Sequence, residues 1–122
     1  MKKYVLLISH GSREKSANRE FIQITRKYQA RHPEWKIGYA FLELAKPSIP
    51  EVLEAIAAQS DKIIVLPYFL FVARHVKKDI PVILKIFQKK YPRVKVRLSK
   101  PLGSDSRLLD ILDQRLDKII KK

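Results

Sequence analysis

The most informative absence in this 122-residue sequence is that of cysteine. A chain without thiols has no disulfide framework and no thiolate ligand, so nitrogen and oxygen atoms must hold any metal that it binds. Glycine is also scarce, with three residues. The G-x-G-x-x-G, Walker A and G-x-S-x-G motifs are missing, which argues against dinucleotide, P-loop nucleotide and serine-hydrolase chemistry.

Long apolar runs are missing as well. The run from Tyr4 to Ile8 is shorter than the apolar region of a signal peptide, and no stretch approaches the ~18 residues of a membrane span. We therefore expect a soluble, cytoplasmic protein with no membrane partner. Hydrophobic residues make up 46% of the sequence, which is enough to build one folded domain over residues 1–122.

Acidic residues are few, 12 against 26 lysines and arginines, and the formal net charge is +14. Such an excess favours anionic partners, among them nucleic acid and ligands rich in carboxylates or phosphates. The basic run between Lys85 and Lys100 fits the solvated faces of one helix and one edge strand better than a nucleic-acid surface. We therefore expect nucleic acid not to be the partner.

Short apolar runs alternate with segments of helical periodicity. The runs predict strands over residues 3–9, 35–42, 62–70 and 94–98. The periodic segments predict helices over residues 15–31, 48–60, 79–91 and from about 105 onward. This βαβαβαβα order predicts an α/β fold, a single lobe with a four-stranded parallel sheet flanked by helices. The last helix should turn its apolar residues inward, namely Leu108, Leu109, Leu112, Leu116 and Ile119.

Candidate functional residues follow three of the predicted strands. His10 comes directly after the first strand, Glu43 after the second, and His75 after the third. Ligands of open parallel sheets bind beyond the carboxyl ends of the strands, where these three side chains would meet. Two imidazoles and a carboxylate can hold a divalent transition ion, and they can also move protons near neutral pH. His32 precedes a proline at a helix end and is predicted to be an exposed surface residue.

Three separated segments resemble the small-type sirohydrochlorin chelatases, the short archaeal form of the class II tetrapyrrole chelatases. They are His10-Gly11-Ser12-Arg13, the stretch from Phe41 to Pro50, and the stretch from Pro67 to Pro81. The resemblance covers nearly the whole chain in the same order and spacing. It implies insertion of cobalt, nickel or iron into sirohydrochlorin without ATP, on the way to cobalamin, sirohaem or a nickel tetrapyrrole, with no permanently bound cofactor.

The resemblance also implies the site and the assembly. His10, Glu43 and His75 would be both the metal ligands and the catalytic residues. Larger relatives hold two such lobes in one chain with a cleft between them, so a single lobe implies a homodimer. Residues expected to contact the carboxylates of the tetrapyrrole are Ser12, Arg13, Arg74, Lys77 and Lys78.

Two other functions are compatible with the sequence. A phosphotransferase component could carry a phosphoryl group on His10, which would leave Glu43 and His75 without a role. A basic nucleic-acid-binding module would bind in a salt-sensitive way, independently of either histidine.

Overall fold

The computed structural model describes residues 3–121, in which strands and α-helices alternate. The strands are β1 (Lys3–Ser9), β2 (Lys36–Phe41), β3 (Lys62–Pro67) and β4 (Lys95–Leu98). The helices are α1 (Lys15–Arg31), α2 (Ile49–Ile56) with a 3₁₀ turn at Ala57–Gln59, α3 (Arg74–Lys90) and α4 (Arg107–Ile120). The α/β order predicted from the sequence is confirmed.

The four strands form one parallel sheet in the order β2-β1-β3-β4. The central strand β1 is buried on both sides, and its Leu6 and Ile8 are fully enclosed, whereas β3 is buried on one side only. β4 lies at one edge, where Lys95 and Arg97 alternate with apolar residues. Because all strands run the same way, the segments after β1, β2 and β3 leave the sheet at one rim.

The two faces of the sheet are covered unequally. On one face, α2 and α3 complete a large core around Leu6, Ile8 and Ile63. On the other face, α1 contributes Phe21 to a smaller cluster with Val5, Leu7 and Phe41. Ile64 and Leu66 of β3 point to this second face and stay partly exposed. The α1 face therefore leaves an apolar part of β3 open.

The third helix begins earlier than the sequence predicted. We expected it to start at Asp79, with Pro81 in its first turn, but α3 starts at Arg74. Pro81 lies inside the helix and has no N–H to donate to the carbonyl of Lys77. Lys77 is exposed, so water can hydrate this carbonyl instead. The burial of Val76 and Ile80 against the sheet outweighs that lost bond. His75 therefore sits in a helical turn rather than in a loop.

The prediction for the last helix is wrong in one respect. α4 forms, but none of its residues is buried, and Leu112 and Leu116 expose 63% and 52% of their surface. Periodicity predicts an apolar stripe on a helix without saying which surface covers it.

Within residues 3–121, no helix is both long and apolar enough to span a membrane.

The start of α2 is fixed by hydrogen bonds between Ser48 and Glu51. Ser48 accepts a hydrogen bond from the Glu51 N–H at 3.2 Å, and the Glu51 carboxylate accepts one from the Ser48 N–H at 3.1 Å. These reciprocal bonds form a capping box, the arrangement that the S-x-x-E spacing of Ser48 and Glu51 favours. The Ser48 N–H, followed by its hydroxyl, holds the pKa of Glu51 below its usual range. The stabilisation is therefore present at neutral pH and is lost as acid protonates this carboxylate.

We expect Ser48→Ala to lower the free energy of unfolding by about 1 kcal/mol, because a helix N–H loses its partner. Thermal unfolding monitored by circular dichroism measures this change. Ser106→Ala is the matched control, since Ser106 precedes α4 without making a side-chain cap. Equal losses in the two variants would mean that the Ser48 cap contributes nothing specific.

Candidate metal and proton-transfer site

His10 and Glu43 are brought together by an extension of the pairing between β1 and β2. Beyond the strands, the Leu42 N–H donates to the Ser9 carbonyl at 2.8 Å, and the Glu43 N–H donates to the His10 carbonyl at 3.0 Å. The two side chains leave the rim side by side, with His10 Nε2 2.8 Å from Glu43 Oε1. About half of each side chain is exposed, so a ligand can reach both.

Both ring nitrogens of His10 face oxygen atoms. Nε2 faces the Glu43 carboxylate, and Nδ1 lies 3.2 Å from the Gly11 carbonyl oxygen. A neutral imidazole has one N–H donor, so only the imidazolium form can donate to both oxygens. When Nδ1 keeps its proton, a divalent cation can take the place of the Nε2 proton between imidazole and carboxylate. The pair is therefore suited to exchange a proton for a metal ion.

Gly11 holds the backbone of the two loops in close contact. Its φ of +94° lies in the left-handed region, which glycine adopts without steric cost. A Cβ atom at this position would lie 1.8 Å from the carbonyl oxygen of Glu43. Gly11 therefore permits the close approach between the His10 loop and the backbone of Glu43.

Asn18 fixes the His10 loop and was missed by the sequence reasoning. Its side-chain oxygen accepts the Ser12 N–H at 3.0 Å, and its side-chain amide donates to the Ser12 carbonyl at 2.7 Å. The Ser12 hydroxyl accepts the Glu14 N–H at 3.0 Å. Ser12 therefore has a role in shaping the loop. An asparagine in the first turn of a helix, next to a polar loop, was the available signal.

His75 lies at the same end of the sheet but on α3, where the buried side chains of Val76 and Ile80 fix its turn. Its side chain is exposed. Across residues 3–121, no three side chains of the histidine, cysteine, aspartate and glutamate types gather closely enough to hold one ion. The structure thus joins two of the three predicted ligands, and the role of His75 stays a prediction.

The predicted anion-binding residues surround this end of the molecule. Arg13, Arg74 and Lys77 are exposed, and none of them pairs with a carboxylate in the described part of the chain. The first turn of α3 contains no acidic residue. The N-terminal end of a helix carries a partial positive charge, so cations placed there are repelled. A bound anion would offset this repulsion in the first turn of α3.

An exposed apolar surface next to these groups was not predicted. Leu44, Tyr68, Leu70 and Phe71 all lie on the loops after β2 and β3, and Phe71 exposes 84% of its surface. The sequence reasoning assigned residues 68–70 to the third strand, but β3 ends at Pro67. The unusually apolar composition of this loop was the signal that could have revealed the surface.

The remaining histidine is not part of the site. His32 stacks on Trp35 with ring centres 4.6 Å apart and contacts Tyr28 edge-on at 4.7 Å. Its side chain is 26% exposed, so the prediction of an exposed residue is wrong. Two aromatic neighbours cover part of the imidazole at the end of α1.

The sequence of this chain is similar to those of known proteins along nearly its whole length. A sequence model of the CbiX family matches residues 4–119. The chain belongs to the CbiX family. It is 33% identical to the sirohydrochlorin cobaltochelatase of Sulfurisphaera tokodaii, over 96% of this chain and 93% of that protein. It is also 33% identical to the sirohydrochlorin ferrochelatase of Priestia megaterium, over 93% of this chain.

Other CbiX-related proteins differ in length from this chain. It spans 43% of the Priestia ferrochelatase and 50% of the sirohydrochlorin ferrochelatase of Arabidopsis thaliana chloroplasts, about half of each. The solved structure of SirB from Bacillus subtilis with Fe³⁺ matches with a TM-score of 0.88 and 32% identity, over 98% of this chain and 48% of that one. The CbiX protein of Marinobacter aquaeolei matches end to end, with 98% and 99% coverage, a TM-score of 0.81 and 25% identity.

Proposed function

We propose that this CbiX-family chain is a sirohydrochlorin chelatase that inserts a divalent ion, cobalt first and nickel or iron as alternatives, without ATP. The observation that carries the proposal is the half-exposed pair of His10 Nε2 and Glu43 Oε1, 2.8 Å apart at the rim of the sheet. Full-length relatives that are named sirohydrochlorin cobaltochelatases support the choice of substrate and of cobalt.

The proposed chemistry exchanges two protons for one ion. His10 and Glu43 hold the incoming M²⁺ through nitrogen and oxygen, a donor set that cobalt, nickel and iron all accept. The macrocycle loses two pyrrole N–H protons as the ion enters. Once they release the ion, the imidazole of His10 and the carboxylate of Glu43 are free to accept them. His75 is proposed as the second imidazole, acting as a ligand or as a base.

The surroundings suit a flat, apolar ring that carries many carboxylates. The exposed surface of Leu44, Tyr68, Leu70 and Phe71 provides an apolar contact for the ring. Arg13, Arg74 and Lys77 provide unpaired cations for its carboxylates, together with a net charge of +14 that attracts it from a distance.

We also propose that two copies assemble around the substrate. The relatives that are about twice as long as this chain support this, since a second copy would supply the equivalent of their remaining half. A half-exposed site on one copy would then be covered from the other side, which excludes water from the ion during transfer. The proposed location is the cytoplasm.

An anaerobic absorbance assay tests the activity. Sirohydrochlorin is mixed with Co²⁺, Ni²⁺ or Fe²⁺ in separate reactions, with and without the protein. We expect a protein-dependent conversion to the metallated spectrum, fastest with Co²⁺. If a folded sample accelerates none of the three reactions over the spontaneous rate, the chelatase proposal is wrong. Phosphoryl transfer from a phosphocarrier onto His10 would then be the next activity to measure.

A further inference from the structure

Leu44, the residue that follows Glu43, has an unusual backbone conformation. Its φ of +66° lies in the left-handed region, and among residues 3–121 no other residue except glycine has a positive φ. Clashes of the Cβ atom disfavour this region, and bulky side chains rarely occupy it. Glycine adopts it freely. The loop that brings Glu43 beside His10 therefore turns on a strained leucine.

The folded chain gains little from the side chain of Leu44. The apolar residues on either side of the turn pack against the core clusters, Leu42 against the large one and Ala45 against the small one. Leu44 belongs to neither cluster, and 52% of its surface is exposed. It thus adds backbone strain and leaves apolar surface in contact with water. Backbone strain of this kind is concentrated at functional sites, where the rest of the fold has to offset it.

A second part of the chain repeats this β-α-β arrangement with constant spacing. α3 begins and ends 59 positions after α1, and each of the two helices has 17 residues. β3 and β4 begin 59 positions after β1 and β2. In the sheet, Lys3 of β1 pairs in register with Lys62 of β3. Residues 3–44 and 62–103 are therefore two versions of one structural unit.

A glutamine near the end of each helix supports this correspondence. The side-chain oxygen of Gln29 accepts the Ile37 N–H at 2.8 Å, and that of Gln88 accepts the Val96 N–H at 3.3 Å. The side-chain amide of each glutamine also donates to two backbone carbonyls in the turn that follows. These are the carbonyls of His32 and Trp35 in the first unit, and of Tyr91 and Val94 in the second.

Gly103 occupies the position of the second unit that corresponds to Leu44. Its φ of +50° is also left-handed, so the turn is the same and the residue is free of strain. The residue before it is Leu102, where the first unit has Glu43. Of the two units, the one whose loop carries the carboxylate of the proposed site is thus the one that places leucine in the left-handed position.

We infer that Leu44 is a substrate-contacting residue, whose side chain packs against the face of the tetrapyrrole next to Glu43 and determines how tightly the metal-free ring binds. This inference rests on the proposed function and assigns the main apolar contact to one residue. The left-handed turn presents the side chain to solvent before any ligand arrives. A preorganised loop loses little conformational freedom on binding. Leu44 therefore strengthens ring binding although it lowers the stability of the fold.

Substitutions of Leu44 should move stability and affinity in opposite directions. Leu44→Gly removes the strain, so Tm should rise by about 2–5 °C, while the dissociation constant for metal-free sirohydrochlorin should increase about 5- to 10-fold. Leu44→Ala keeps a Cβ atom and the strain, so it should lose the same affinity without the gain in Tm. Leu44→Met keeps an apolar side chain of similar size and should bind within about twofold of the parent chain. Thermal unfolding measures stability, and anaerobic titration of the ring fluorescence, without metal, measures affinity.

Ile86→Ala is the matched control. Ile86 exposes 65% of its surface and lies about 18 Å along α3 from Arg74, so its loss should leave ring binding unchanged. A lower Tm for Leu44→Gly would mean that the leucine supports the fold. Unchanged affinity in the glycine and alanine variants would mean that it does not contact the ring. Either result would overturn the inference, whereas a parent chain that binds no sirohydrochlorin would refute the proposed function and this inference with it.

Discussion

His10→Ala should slow metal insertion by about 10²- to 10⁴-fold, the range for loss of a positioned proton-transfer group. The substitution removes Nε2, which faces the Glu43 carboxylate at 2.8 Å, and with it the atom proposed to bind the ion and to accept a proton. The fold should persist, since about half of the His10 side chain is exposed and it belongs to neither core cluster. Initial rates in the absorbance assay, with thermal unfolding alongside, measure the two effects separately.

Glu43→Gln separates the charge of the pair from its shape. The amide keeps the size of the carboxylate but binds a divalent cation more weakly. Activity should therefore fall at low metal concentration and recover in part as the metal concentration is raised. The matched control is Glu14→Gln, an exposed residue at the start of α1 whose side chain makes no cap. His32→Gln controls for the loss of an imidazole outside the site.

His75→Ala should also slow insertion if the second imidazole acts on the ion or on the ring protons. Its side chain is exposed in the first turn of α3, so the variant should fold normally. Full activity in both the His10 and the His75 variants would remove the residue assignment altogether. Full activity in the His75 variant alone would limit the site to His10 and Glu43.

Much of this fold could be predicted because its signals are local. Short apolar runs predicted where the four strands lie, and helical periodicity over residues 48–60 predicted α2, which the Ser48–Glu51 capping box begins. The start of α3 was not predicted, because the burial of Val76 and Ile80 outweighs the break in hydrogen bonding that Pro81 causes. Tertiary packing of this kind has no signature in a short window of sequence.

The site was predictable to a similar extent. Strand order places the residues after β1 and β2 at one rim, so the nearness of His10 and Glu43 follows from topology. The position of His75 depends on how α3 packs, which periodicity does not determine. The apolar stripe of α4 was visible in the sequence, yet its burial requires a surface that the folded chain does not place against it.

Gly11→Ala should be the most damaging small substitution in the site. The new Cβ would lie 1.8 Å from the Glu43 carbonyl oxygen, well inside van der Waals contact, and the neighbour is backbone rather than a flexible side chain. A left-handed φ costs alanine about 1–2 kcal/mol, and the overlap adds about 1–3 kcal/mol as the loops move apart. We expect Tm to fall by roughly 10 °C.

The activity of Gly11→Ala should fall more than its stability suggests, because the loop that must move carries Glu43. Separation of the loops breaks the 3.0 Å bond from the Glu43 N–H to the His10 carbonyl and pulls the carboxylate away from Nε2. Gly103→Ala is the control, since its φ of +50° is also left-handed but its Cβ would have an ordinary contact at 3.5 Å. It should lose only the backbone cost of about 1–2 kcal/mol. If the two alanine variants were equally stable and equally active, close contact between the His10 and Glu43 loops would not be what assembles the site.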